Sequence, residues 1–311
     1  MNAGPKTHPF CALILTLFIA SFVAGCGGVS PDSSSEKDEE EKQLSYAEER
    51  AKFKTRLKDR NPAPQNYREE SPTGNVREVK YTSDEVLDLK AWVHVPDGAE
   101  SSPAPALVYF HGGFAFGSGD LKDCQPFIDK GFVVMCPMFR GENGNPGSFE
   151  MLMGEVDDAE AAIRWLAEQP YVDPSKIVAF GHSIGGGVSA LLSLREDVPL
   201  RHSGSCGGLY TTKMLMDFDE TPFERYRANE WKFRVLIGSI KHMQRHHYAY
   251  LGQADGFSNA EERAKEEMKK LKTPKLRIAP VVGDHFSSLQ PAMESYLKMT
   301  ESDLAWSGSS D

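Results

Sequence analysis

From about residue 76 onward, apolar positions fall into two alternating rhythms. Val76–Tyr81 and Val86–Val95 read as strands joined at Thr82-Ser83-Asp84-Glu85, and alternation places Leu87, Leu89, Ala91, Val93 and Val95 on one face. Ala106–Phe110 reads as a buried strand, and Phe132–Met138, Ile177–Phe180, Tyr248–Leu251 and Leu276–Val282 as further strands. Between them the spacing turns helical. Residues 120–130 are helix-like, and Val156, Ala159, Ile163 and Leu166 recur on one helical face. Asn259–Leu271 is a charged amphipathic helix, and Leu289–Met299 is a last one. Strands alternating with helices predict an α/β domain: a mostly parallel sheet of about eight strands, flanked by helices, with the opening pair antiparallel at one edge. No internal repeat interrupts the series.

Two stretches break the rhythm. Residues 209–245 are polar, aromatic and basic (Phe218, Phe223, Arg225, Tyr226, Arg227, Trp231, Phe233, Arg234) and predict a small cap insert between the sixth and seventh strands. Such an insert lies over the carboxyl ends of the strands, where open α/β sheets bind ligands. Ahead of the first strand, residues 43–60 mix Leu44, Ala47, Ala51, Phe53 and Leu57 with many charges, as a docking amphipathic helix would, and Asn61-Pro62-Ala63-Pro64 stops it. Residues 27–42 are rich in serine and glutamate with almost nothing to bury, which predicts a tether. The expected division is 1–25 as a signal, 26–65 as tether and possible helix, and 66–311 as the folded domain.

The signal has its own pattern. Lys6 and His8 precede the apolar run Cys11–Val23, which is short for a membrane span. The run ends in Val23-Ala24-Gly25-Cys26, which resembles the lipobox of bacterial lipoproteins. The resemblance implies cleavage before Cys26, lipid modification of Cys26, and anchoring to a membrane of the bacterial cell envelope on its extracytoplasmic side. An ordinary secretory signal with a small-residue cleavage site is the alternative.

A formal net charge of −10 argues against a nucleic-acid partner. With Cys11 removed and Cys26 lipidated, Cys124, Cys136 and Cys206 remain, enough for one internal disulfide. None sits in a metal-ligand spacing. His242 and His246 stand four apart, as a helix-borne metal pair would. They have no evident third ligand, and Lys241 and Arg245 would repel a cation, so neither metal nor cofactor is expected.

The chemistry concentrates in Lys176-Ile-Val-Ala-Phe-Gly-His-Ser183-Ile-Gly-Gly-Gly187. Gly181-His182-Ser183-Ile184-Gly185 between a strand and a helix is a nucleophile elbow: the turn is too tight for side chains at the flanking glycines, and it lifts the serine hydroxyl toward the positive end of the next helix. In folds built on this elbow the order is serine, acid, histidine. Of the nine histidines only His285 follows a terminal strand and precedes the last helix. Asp255, just after the strand ending at Leu251, is the expected acid. Asp284 is a rival whose side chain, adjoining His285, should point away from it, and Asp217 and Asp219 are weaker rivals. Two backbone N–H groups should hold the oxyanion: Ile184, and Gly113 (Phe114 second) in the loop His111-Gly112-Gly113-Phe114.

Phe110-His111-Gly112-Gly113, Arg140-Gly141-Glu142-Asn143-Gly144, Gly154-Glu155-Val156-Asp157-Asp158, Gly181–Gly186, Gly252–Asp255 and Asp284-His285-Phe286 occur in the order of the α/β-hydrolase family. Residues 76–300 resemble its dienelactone-hydrolase and prolyl-oligopeptidase (S9)-like branches. The resemblance implies the α/β-hydrolase fold and a Ser183, Asp255, His285 triad. The chain departs from the oligopeptidases in one respect: the roughly 50 residues ahead of its first strand cannot build their peptide-selecting β-propeller, a single blade of which takes ~40–45 residues. The expected activity is therefore serine hydrolysis of a small carboxylic ester or amide, leaning toward esters. The alternatives are a serine peptidase acting on short peptides, and a non-catalytic binding protein on a hydrolase fold.

Overall fold

Ala104–Phe110 is the axis of the molecule because all seven of its residues are buried, as a strand covered on both faces must be. Its side chains alternate between two cores. Ala106, Val108 and Phe110 join one apolar cluster, and Leu107 and Tyr109 join the other. The computed structural model describes residues 44–306, apart from 85, 217, 219, 220 and 257. The expected signal at 1–25, the anchor candidate Cys26 and the tether up to residue 43 lie outside the described residues.

The strands are β1 (Val76–Ser83), β2 (Leu87–His94), β3 (Ala104–Phe110), β4 (Val133–Pro137), β5 (Val172–His182), β6 (Ser203–Cys206), β7 (His247–Gly252) and β8 (Leu276–Val281). They form one sheet in the order β1-β2-β4-β3-β5-β6-β7-β8. β1 pairs antiparallel with β2, and β2 with β4, and every later pairing is parallel. The helices are α1 (Tyr46–Lys52), α2 (Ser118–Asp123), α3 (Gln125–Ile128), α4 (Gly154–Ala167), α5 (Ser183–Leu192), α6 (Thr212–Met216), α7 (Ala228–Lys232), α8 (Ser258–Met268) and α9 (Leu289–Leu304). The periodic face of α4 (Val156, Ala159, Ile163, Leu166) packs in the cluster with Val188 and Leu191 of α5. Phe127 of α3 and Met293 and Tyr296 of α9 pack in the other.

Two differences from the sequence reading have physical causes. The helix expected at 120–130 is two short helices, α2 and α3, with Pro126 in the first turn of the second. The strand β6, Ser-Gly-Ser-Cys, carries no apolar signature at all.

Residues 44–65, assigned from sequence to the tether and helix, belong to the same compact unit as the sheet, which runs from Leu44. Only Tyr46–Lys52 is helical, opened by a Ser45–Glu48 capping box. Phe53, Leu57 and Ala63 pack against the apolar core, and polar contacts hold the segment as well. Arg50 reaches Asp157 at 3.0 Å, Arg56 N–H donates to Glu230 at 2.8 Å, and Lys58 N–H donates to the Pro222 carbonyl at 2.7 Å. Cys124, Cys136 and Cys206 are buried free thiols.

Candidate active site

The elbow is built by close backbone approach. Ser183 has φ +53°, a left-handed conformation rare for a residue with a side chain, between the end of β5 and the start of α5. A Cβ at Gly181 would collide with the Gly185 carbonyl, and one at Gly185 with the carbonyl oxygens of Phe110 and His111. Glycine at both positions lets the first turn of α5 lie against the end of β3. The Ile184 N–H then belongs to a first turn whose donors have no partner within the helix.

The chain brings the three expected side chains together. Ser183 Oγ lies 2.9 Å from His285 Nε2, and His285 Nδ1 lies 3.0 and 3.1 Å from the two carboxylate oxygens of Asp255. Asp255 follows β7, and His285 follows β8. The Asp255 side chain is buried and that of His285 partly open. Burial raises the Asp255 pKa, against the hydrogen bond and charge of His285, which lower it. Asp284 serves its own turn. Its carboxylate accepts from the backbone N–H groups of Phe286 (3.1 Å) and Ser287 (2.8 Å) and from the Ser287 hydroxyl (2.7 Å). The bonds from Ser287 and then Phe286 hold it below the usual carboxylate range. Asp217 and Asp219 fall outside the described residues.

On the oxyanion side, Gly113 has φ +70°, and a Cβ at Gly112 would lie 3.5 Å from Ser183 Cβ, so this loop runs beside the serine. His111 Nδ1–H donates to the Gly112 carbonyl at 3.1 Å. A trans peptide directs the Gly113 N–H opposite to that carbonyl, away from the buried ring. The second-choice donor is committed elsewhere: Phe114 N–H donates to Gln65 Oε1 at 3.0 Å.

Three supporting residues escaped the sequence reading. Gly207, just after β6, has φ +58°, and a Cβ there would sit 2.9 Å from both Asp255 Oδ2 and His285 Nδ1, so only glycine leaves room for the pair. His182 Nε2–H donates to the His285 carbonyl at 2.8 Å, with the two rings 5.0 Å apart. Gln65 is the third. No motif marked it, because its role arises from a long-range contact.

A cavity of about 460 Å³ opens on Ser183, Asp255 and His285 and is walled by Leu209, Met214, Phe218 and Ala260. Three of these four come from the segment between β6 and β7, where the cap was expected. His242 and His246 face different partners: His242 stacks on Tyr46 at 5.5 Å and His246 lies against Tyr248 at 6.3 Å.

Comparison with known proteins bears on the fold. The model of the prolyl oligopeptidase family (peptidase S9) matches residues 120–263, a span that holds Ser183 and Asp255 and stops before His285. The uncharacterized peptidase YtmA of Bacillus subtilis is 30% identical over 115 residues, which cover 37% of this chain and 42% of that protein's length. A puromycin-hydrolyzing peptidase of Mycobacterium tuberculosis superposes with a TM-score of 0.62 at 20% identity, over 73% of this chain and 40% of that one. The Pyrococcus furiosus esterase Pf2001 superposes with a TM-score of 0.60 at 16% identity, over 81% of this chain and 99% of that one. The eight-stranded sheet, its flanking helices and these superpositions show that the chain has the α/β-hydrolase fold.

Proposed function

We propose that the protein is a serine hydrolase that cleaves carboxylic esters or amides through an acyl-enzyme, with Ser183 as nucleophile. The observation that carries this reading is the unbroken relay from Ser183 Oγ through His285 to Asp255, at a strained elbow open to a cavity. His285 Nε2 takes the Ser183 proton as Oγ bonds to the substrate carbonyl carbon. The oxyanion so formed is held by the Ile184 and Gly113 N–H groups. His285 returns the proton to the departing alcohol or amine as the C–O or C–N bond breaks, and water then repeats the sequence to free the acid and regenerate Ser183. Asp255 keeps the His285 Nδ1–H in place and stabilises the imidazolium.

Esters are the favoured substrates, because a whole esterase chain superposes on this one while the M. tuberculosis peptidase is covered over 40% of its length. Peptidase action on short peptides is the second reading, supported by the S9 match. A fluorophosphonate probe tests both against a non-catalytic binder. Labelling of the wild type that is lost in Ser183→Ala supports the hydrolase, and no labelling of either overturns it. Turnover of 4-nitrophenyl acetate without turnover of peptide anilides favours the esterase. Anchoring through Cys26 rests on the sequence alone: Cys26→Ser should move the protein from the detergent to the aqueous phase in Triton X-114 partitioning.

A further inference from the structure

The cavity at Ser183 carries charge that the proposed chemistry does not use. Lys213 on α6 and Arg263 on α8 both line it, beside the apolar walls. Among the described residues neither makes an ion pair or a side-chain hydrogen bond. Lys265, two residues along α8, is paired with Glu261 at 2.5 Å. Among the described residues lining the cavity the acidic one is Asp255, and His285 engages it. In a chain of formal net charge −10, the described lining of this cavity therefore presents two unpaired cations and no free carboxylate. A guanidinium fork and an ammonium lining the same cavity each suit a carboxylate as partner.

We propose that this cavity selects esters or amides whose acyl or leaving group bears a carboxylate some bonds away from the scissile carbonyl, with Lys213 and Arg263 as the specificity-determining pair. The proposal rests on the serine-hydrolase reading and names its substrate class. Both cations are exposed at the cavity rim, so each contributes modestly to affinity and more to steering and orientation.

Two matched pairs of esters test it. On the acyl side, 4-nitrophenyl hemiglutarate is compared with 4-nitrophenyl pentanoate. On the leaving-group side, 4-acetoxybenzoate is compared with its methyl ester. In one pair the wild type should prefer the anionic member in kcat/KM by about fivefold to tenfold. Added salt should shrink that ratio, and the Lys213→Gln/Arg263→Gln double variant should bring it toward one. Lys265→Gln, whose residue lies outside the cavity lining, should keep it. Reading the ratio within a pair cancels general damage to the site. Turnover of the neutral esters with no anionic preference in either pair, or with the same preference in the double variant, overturns the inference and leaves the hydrolase reading standing. Failure to turn over any of the four, with no fluorophosphonate labelling at Ser183, overturns both.

Discussion

His111 Nε2 lies 3.1 Å from Glu142 Oε2, and both side chains are buried. The same carboxylate oxygen accepts the Phe139 N–H at 2.9 Å, and the opposite ring nitrogen donates to the Gly112 carbonyl. Burial disfavours charge on the His111 ring. The Glu142 carboxylate and the hydrogen bond to it outweigh burial and raise the pKa to about 9. The ring is thus an imidazolium at neutral pH, with both nitrogens donating, and it fixes the peptide that carries the Gly113 N–H.

This pair gives stability a defined pH dependence. Because the folded pKa exceeds the ordinary value of about 6.5, the stabilisation is complete below about 6.5 and is lost as pH rises through about 9. Thermal unfolding of the wild type should therefore weaken across that window, by up to about 3 kcal/mol. Glu142→Gln should be less stable at pH 6 and show a flatter profile from 6.5 to 9. Parallel profiles for the two proteins would refute the assignment.

Asp255→Asn tests the acid. The amide keeps the side chain's shape but removes the negative charge and turns one acceptor oxygen into an N–H donor, which favours the wrong His285 tautomer, so kcat should fall about 10⁴-fold with KM changed far less. Asp284→Asn, at an exposed turn, should keep kcat within about threefold of the wild type. The reverse pattern in ester turnover would move the acid role to Asp284.

Glycine positions give a sharp contrast. Gly185→Ala would drive a methyl group into the Phe110 and His111 carbonyl oxygens, and its cost should exceed about 3 kcal/mol or prevent folding. Gly119 lies within α2, and a Cβ there meets nothing within 4 Å. Gly119→Ala should therefore stabilise by about 0.5–1 kcal/mol in urea denaturation. Equal effects of the two substitutions would show that the elbow is not packed as described.

The parts legible in the sequence are those whose cause is local. The elbow was readable because steric closeness at Gly181 and Gly185 demands glycine within four residues of the serine. The chain order of Asp255 and His285 followed from the strands before them. β6 was not readable, because its small polar residues answer to distant partners. A Cβ at Gly204 would press on the Tyr296 ring at 2.6 Å, and the hydroxyls of Ser203 and Ser205 lie 2.8 and 2.7 Å from the two nitrogens of the buried His247 ring. Gly207 follows the same logic, since its need for a bare Cα comes from Asp255 and His285. Residues 53–70 were opaque for another reason. Phe53, Leu57 and Ala63 pack on the core from a non-helical chain, and the remainder docks through hydrogen bonds such as Phe114 N–H to Gln65 and Ser118 N–H to Glu70 at 2.7 Å, so no regular apolar period runs through it.

That docking depends most on Glu230 and Arg234, a pair with side chains 0% exposed. Arg234 donates to Glu230 Oε2 at 3.0 Å, to Thr55 Oγ at 2.7 Å and to the Met151 carbonyl at 2.9 Å, and its guanidinium lies 3.9 Å over the Phe223 ring. Glu230 accepts from the Thr55 hydroxyl and the Arg56 N–H, each at 2.8 Å. The pair therefore joins the arm of residues 53–70, the segment between β6 and β7 and the turn at Met151-Leu152, whose two residues both have positive φ (55° and 65°). Glu230→Ala would strand a buried guanidinium and release the arm, at a cost of about 3–5 kcal/mol. Replacing both residues with methionine removes the stranded charge and should recover a substantial part of that loss. Urea denaturation reads the energies, and limited trypsin cleavage at Lys54, Arg56 or Lys58 reads release of the arm. A loss under about 1 kcal/mol in Glu230→Ala, with the arm still protected, would show that the arm is held by its other contacts.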